Sequence, residues 1–379
     1  MKYSKILLAA LSFAFFQSCS DDEIIIKVEP DNAHLQESYN VQRLKIIPIE
    51  PSNSDIENTT YVWKLENEII GNEKMLGFVS DKPGTYDLTL EIKSGSTSKT
   101  LRTKVNVTQE TVTYNKYISK VFDYLPAVGQ FINELPIYQA GDTQANMNAK
   151  AGDQLIGKET GLISLGGYGG YVVFGFDHTI LNQKDKRDFK ILGNGFAGSS
   201  EPGIIMVAYD KNKNGKPDDD EWYEIAGSEY NNPTTIKNYI ITYNKPTVEE
   251  PKAISEYIKW EDNQGNSGYK VKNGFNKQPY YPLWFGSDQL KLSGTLLANN
   301  YTEKNGIWTG KQLAYGYADN AANNSEDSNI DIDWAVDKNG KPVKLLGIDF
   351  IKVYTATNQE AGWLGEISTE VAGAYDLHL

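Results

Sequence analysis

The sequence predicts an all-β protein in two parts: an immunoglobulin-like sandwich near the N-terminus, then a larger jelly-roll-like β-sandwich. Three observations predict it. Short alternating or apolar runs recur along the chain, Asn-Gly pairs punctuate them, and long amphipathic helical patterns are lacking. The composition agrees, with 24 tyrosines and seven tryptophans among 379 residues. Ala253–Ile258 is the one short helical candidate.

The first residues form an export signal. Lys2 and Lys5 give a positive start, and Ile6–Phe16 is apolar but too short to span a bilayer. Gln17-Ser18-Cys19 follows, then Ser20-Asp21-Asp22-Glu23. Cys19 is the only cysteine, so an intrachain disulfide is impossible and acylation is the natural role of the thiol. Residues 1–19 thus read as a lipoprotein signal ending in a lipidated Cys19, and 20–24 as an acidic tether. The motif resembles the lipobox of bacterial lipoproteins, with Phe16 where Leu is usual. The acidic run resembles the surface-export signal of Bacteroidetes lipoproteins, which implies the outer face of the outer membrane.

Residues 25–109 carry five predicted strands: Ile24–Val28, Leu44–Ile49, Tyr61–Leu65, Tyr86–Ile92 and Thr100–Val107. Tyr86-Asp-Leu-Thr-Leu-Glu-Ile alternates as a half-buried strand must, and Pro83-Gly84 is a turn before it. Trp63 is the expected core anchor. Thr108–Thr113 is polar and reads as a linker.

Residues 110–379 read as one larger domain. Its strand signals include Tyr171–Phe176, Gly203–Tyr209, Tyr239–Tyr243 and Gly347–Tyr354. Asn-Gly pairs at 194, 214, 273, 305 and 339 are hairpin signals, and Gly265-Asn266 is a further turn. Leu165-Gly-Gly-Tyr-Gly-Gly170 is followed by a strand where a phosphate cradle needs a helix start, so it reads as a tight turn or close backbone packing.

The sharpest motif runs from Asp210 to Glu221. It fits the calcium-loop pattern D-x-[DN]-x-[DN]-G-x5-E at every defined position. Asp210, Asn212 and Asn214 can turn oxygens inward, and Gly215 allows the bend. Lys216 offers its carbonyl, Asp218 an oxygen or a water, and Glu221 closes the shell. Strands, not helices, flank it, so a structural calcium is expected; the competing reading is a polar hairpin whose carboxylates face water.

Composition excludes other classes. Net charge is −13 and the only arginines are Arg43, Arg102 and Arg187, so no nucleic-acid footprint exists and anionic ligands are disfavoured. His34, His178 and His378 are scattered; His178 reads as a structural histidine beside Asp177. No nucleophile elbow is present, and nothing selects a catalytic carboxylate pair, so a non-enzymatic role is expected. Aromatic side chains are the recognition candidates: Trp222 and Tyr223 beside the calcium loop, and Tyr280, Tyr281, Trp284 and Phe285 in a loop. Trp308 and Trp363 stand near glycines.

Two resemblances add to this. Tyr61-Val-Trp63 and Lys82-Pro-Gly-Thr-Tyr-Asp-Leu-Thr-Leu90 resemble a PKD-type module, which implies a spacer without chemistry. The segments 165–177, 200–207, 220–230, 316–320 and 362–371 are together similar to PKD-containing cell surface lipoproteins of Bacteroidetes, of the kind associated with vitamin B12 uptake systems. That resemblance implies a surface accessory protein that captures a corrinoid beside a TonB-dependent outer-membrane transporter; it assigns no binding residue. The alternatives are a glycan-binding lipoprotein of a polysaccharide uptake system, a structural or adhesive surface protein, and a hydrolase whose mark would be a deep cleft holding two carboxylates with perturbed pKa.

Overall fold

The computed structural model describes residues 32–54 and 58–379. The export signal, Cys19, the acidic run and the predicted strand Ile24–Val28 lie outside these residues. The described chain is nearly all β. No described helix is long and apolar enough to cross a membrane.

The N-terminal module is a five-stranded sheet in the order Ser38–Gln42, Thr97–Thr108, Gly84–Ser94, Thr59–Leu65, Glu68–Gly71. The pair Ile47–Ile49 and Leu76–Phe78 supplies the second layer of its core. Alternation does what the sequence predicts: Leu88, Leu90 and Ile92 point inward and are buried. Trp63 is 0% exposed, and its indole N–H donates to the Glu73 carbonyl at 3.1 Å. The predicted strand Leu44–Ile49 keeps only Ile47–Ile49, because Leu44 turns left-handed at φ 54°.

This module is packed against the larger domain. Ile46 and Met75 pack on the large domain's core. Lys45 Nζ donates to the Asp177 carbonyl at 2.7 Å, and the Ile46 amide donates to Thr179 Oγ1 at 3.0 Å. Tyr223 O–H donates to Glu73. The tie extends to Asn72, whose side chain bonds the backbone of Pro342 and Lys344. Arg43 pairs with Glu110 in the linker at 2.7 Å.

The larger domain centres on a six-stranded sheet ordered Ala335–Val336, Trp222–Ile225, Gly203–Ala208, Gly347–Thr355, Tyr171–Leu181, Lys120–Leu125. A three-stranded sheet (Asn329–Ile330, Phe189–Leu192, Gly373–Asp376) and the pair Ile163–Ser164 with Glu370–Val371 share its core. A third, four-stranded sheet has its own core. Its order is Ser267–Lys272, Ile254–Asp262, Ile236–Asn244, Gln289–Leu296, and it closes over Ala127, Val128 and Tyr168.

Two local expectations change. Ala253–Ile258 is not helical: it falls largely within the strand Ile254–Asp262, where Tyr257 and Ile258 are buried and pairing with Ser267–Lys272 decides the conformation. Among the described residues the α-helix is Gln144–Leu155 instead. Thr143 and Asn146 form a reciprocal capping box, and Met147, Ala151 and Leu155 repeat every four residues on the buried face. The Asn305-Gly306 pair is the expected hairpin turn, with both residues at positive φ. The glycine run packs closely: a Cβ on Gly170 would stand 1.9 Å from the Leu165 carbonyl oxygen. His178 is buried between Asp177 (2.8 Å) and Asp376 (2.9 Å), a satisfied structural histidine.

Trp63→Ala should cost the N-terminal module about 3–5 kcal/mol through the cavity it leaves. Chemical denaturation followed at far-ultraviolet wavelengths checks this; a loss under about 1 kcal/mol would show that Trp63 does not anchor the sandwich.

Candidate functional site

A cavity of about 530 Å³ opens where three parts of the large domain meet. The turn after Phe189–Leu192 brings Asn194, the lead-in to Gly203–Ala208 brings Glu201, and the segment between the last long strand and Glu370–Val371 brings Trp363, Glu366 and Glu370. Asp319 holds these parts together from below. Its Oδ1 accepts the Asn194 amide at 2.8 Å and the Gly195 amide at 2.7 Å, and its Oδ2 accepts the Glu370 amide at 2.9 Å. A Cβ on Gly193 would lie 2.2 Å from Asp319 Oδ1, so that approach requires glycine.

Acceptors dominate the wall. Oxygens of Glu201, Asp319 and Glu370 all lie within 4.8 Å of one another. Ser368 Oγ donates to Glu370. Glu366 Oε1 accepts the Gln130 amide at 2.6 Å. The Gln130 side-chain oxygen in turn accepts from Asn273 (2.7 Å) and Asn276 (2.8 Å), which makes a carboxamide wall. At the mouth, Trp363 is 62% and Phe275 77% exposed. No lysine or arginine lines the cavity.

Burial raises the pKa of these carboxyls. Glu201 is pushed well up, first by desolvation and then by the charges of Glu370 and Asp319. Desolvation holds Glu366 at about 8, against the Gln130 amide and the charge of Lys270, which pull it down. Asp319 is pushed to about 8 by burial and Glu370, against the three amides that favour its anion.

The predicted aromatic surface is not assembled. Tyr223 is 4% exposed and Tyr280 and Tyr281 are each 1% exposed, so they are core residues and not ligand contacts. Their rings fill the apolar interior while each hydroxyl finds a partner: Tyr280 donates to the Asn276 carbonyl (3.1 Å), Tyr281 to the Ser287 carbonyl (2.9 Å) and Tyr223 to Glu73. Trp284 is half-buried, stacked between Tyr124 and Tyr138, with its N–H on Gln144. Phe285 packs on Tyr281. Trp222 lies elsewhere, in the wall of a second cavity of about 710 Å³ with Tyr230, Glu224 and Lys237.

The Asp210–Glu221 loop joins Gly203–Ala208 to Trp222–Ile225 as a hairpin. Its side chains organise its own backbone. Asp210 accepts the amides of Asn214 (3.0 Å) and Gly215 (2.7 Å), Asn214 accepts that of Lys216 (2.7 Å), and Glu221 accepts those of Lys211 (2.7 Å) and Asp218 (3.0 Å). The amides of Asn212 and Asn214 both point their nitrogens at Asp218. Rotating them would turn oxygens inward, so the donor set suits a hard cation. Gly215 sits at φ 73°, as the bend needs.

The cavity residues were beyond the reach of motif reading. Glu201, Asp319, Glu366 and Glu370 are spread over 170 positions and share no spacing.

Residues 34–94 match the PKD-like domain. Among curated proteins none matches the sequence. Solved structures with partial likeness include a quinonprotein alcohol dehydrogenase-like protein of Bacteroides thetaiotaomicron, 14% identical, covering 78% of this chain and 73% of that one, with a TM-score of 0.17. Another is the Bacteroides ovatus mixed-linkage glucan utilization locus protein SGBP-B, solved with a mixed-linkage heptasaccharide. It is 11% identical and covers 86% of this chain and 100% of its own, with a TM-score of 0.19. At such scores neither structure transfers a ligand to this chain.

A carboxyl whose pKa is raised by folding stabilises the fold fully below its unfolded pKa and loses that contribution as pH climbs through the folded value. In chelator-treated protein the melting temperature should therefore fall between about pH 4.5 and pH 8, and Glu366→Gln should flatten the slope. Calorimetric scans at half-unit intervals check it; an unchanged slope would show that Glu366 does not titrate differently in the two states.

Proposed function

We propose that this chain is a surface binding protein whose 530 Å³ cavity takes a large uncharged ligand dense in N–H or O–H donors. One observation carries the reading. A wall of carboxylate and carboxamide acceptors, without a lysine or arginine, stands under two exposed aromatic rings. Such a wall offers oxygens to a donor-rich ligand and no cation to an anion, while Trp363 and Phe275 cover an apolar face. A corrinoid offers both halves: peripheral carboxamides as donors and an apolar ring edge. The sequence resemblance supports that ligand too. An oligosaccharide is the second reading, favoured by Trp363, an exposed indole beside carboxylate acceptors that can stack a sugar while its hydroxyls are bound.

The chain is read as a binder and not a hydrolase: oxygens of Glu201, Asp319 and Glu370 crowd within 4.8 Å of one another, which leaves no gap for the water that an inverting pair holds across about 6.5–9.5 Å. The Asp210–Glu221 loop, in this reading, holds a structural calcium through Asp210, Asn212, Asn214, Asp218, Glu221 and the Lys216 carbonyl. A lipidated Cys19 anchors the chain at the outer membrane, where it hands its ligand to a TonB-dependent transporter.

Isothermal calorimetry on the full chain, with cyanocobalamin in one arm and neutral oligosaccharides in the other, tests the ligand. Binding should appear in one arm, and Trp363→Ala or Phe275→Ala should weaken it about tenfold or more, about 1.4 kcal/mol. Tyr281→Phe, in the core, should leave it unchanged. Silence in both arms at high micromolar ligand would defeat the reading. For the anchor, radiolabelled palmitate should enter the wild-type chain and not Cys19→Ser; equal labelling of both would remove Cys19 from that role.

A further inference from the structure

Three carboxyl groups, those of Glu201, Asp319 and Glu370, gather at the cavity floor with little positive charge to meet them. The charged groups that press most on Glu201 are themselves carboxylates: Glu370, Asp319 and Glu366. The lysine of the region, Lys270, acts on Glu366 and Glu360. Asp319 and Glu370 are 3% and 4% exposed, and Glu201 is half-buried at the cavity wall. Buried anions are normally paired with a cation, coordinated to a metal, or neutralised by a proton.

A second observation is independent of that cluster. Glu366, 5% exposed, lies in the wall of the same cavity, and its Oε2 is buried with no donor while its Oε1 takes the Gln130 amide. A buried carboxylate oxygen left bare has room for a donor from outside the chain, a water or a hydrated ion.

We propose that a calcium ion binds at the floor of this cavity, held by Glu201, Asp319 and Glu370, with the free oxygen of Glu366 accepting from a water of the ion. The donors are all oxygens, the set that hard cations prefer, and neither histidine nor cysteine is among them. Oxygens up to 4.8 Å apart fit around an ion that sits about 2.4 Å from each ligand. Magnesium, at about 2.0–2.1 Å and strict about its octahedron, would require the cluster to contract. Asp319 can ligate without losing its amides, because a carboxylate oxygen has a second lone pair and Oδ2 takes only one N–H. The site is distinct from the Asp210–Glu221 loop and does not depend on which ligand the cavity captures.

The test uses the full chain, stripped with chelator and titrated with calcium chloride by calorimetry over about 10 μM to 10 mM, the range of extracellular sites. The chain with D210N and E221Q, lacking the loop's two key carboxylates, should still bind one calcium. Glu201→Gln or Glu370→Gln in that background should weaken it at least tenfold. Metal-free Glu370→Gln should melt no lower than its parent, since it removes a buried like charge, but should lose the calcium-induced rise in melting temperature. If Glu370→Gln does not fold, Glu201→Gln, on a residue partly open at the cavity wall, decides alone. Absence of calcium binding in the loop-disabled chain, or undiminished binding with Glu201→Gln, would overturn the proposal.

Discussion

The Asp319 carboxylate is the constraint from which the large domain's open end is built. It accepts three backbone amides, from Asn194, Gly195 and Glu370, and its own carbonyl accepts the Glu201 amide at 3.0 Å. Segments far apart in sequence are thus fixed at one point. Hydrogen bonds to a charged group are worth about 1.5–3 kcal/mol each, so three of them offset part of the cost of burying the anion, but burial and Glu370 still hold the pKa of Asp319 at about 8. Asp319 itself sits at φ 50°, a conformation that aspartate tolerates better than most residues. With the staple in place, Glu201 and Glu370 stand side by side at one cavity, whose wall Glu366 joins through the Gln130 amide.

That arrangement is not what stability alone would select. Buried carboxyls that face one another are weaker than apolar packing of the same volume. The rest of the domain compensates with four separate apolar cores, one under the six-stranded sheet, one under the four-stranded sheet, and two smaller ones around Ile204, Leu297 and Tyr354 and around Tyr301, Ala361 and Ile367. Tyrosine does much of this filling. Its ring packs like a hydrophobe and its hydroxyl satisfies a nearby carbonyl, as Tyr124 does with Ser164 at 2.8 Å. A sequence rich in tyrosine therefore need not present aromatic surface.

This is why the fold was more legible than the site. Alternation marked Gly84–Ser94 and Thr97–Thr108 because one face of each strand is wet. Trp63 stood out as the one large anchor of a small sandwich, and the Asn-Gly signal at 305 needed only local geometry. The Asp210–Glu221 loop was legible for the same reason, since all its donors lie within twelve consecutive residues. Tyr280 and Tyr281 misled because their neighbours in sequence are loop-like while their neighbours in space are the third sheet. The helix Gln144–Leu155 escaped because its polar face is made of Asn, Gln and Lys without the usual charge pattern, leaving the Thr143–Asn146 box as its only clear signal. Glu201, Asp319, Glu366 and Glu370 could not be selected at all: their meeting is a product of topology.

The strand Gly203–Ala208 links the two parts of the molecule that suit a cation or a ligand. Glu201 precedes it at the cavity and Asp210 follows it at the loop. Six extended residues span about 20 Å, so an ion in the loop cannot touch a ligand in the cavity. What the loop does touch is the other end of the assembly. The Asp210 amide donates to Asp349 at 2.9 Å, Asp349 accepts from Thr179 Oγ1 at 2.6 Å, and that same hydroxyl oxygen accepts the Ile46 amide of the N-terminal module. The loop is thus tied by hydrogen bonds to the join with the PKD-like module, and the cavity carboxyls stand at the far end of the same strand.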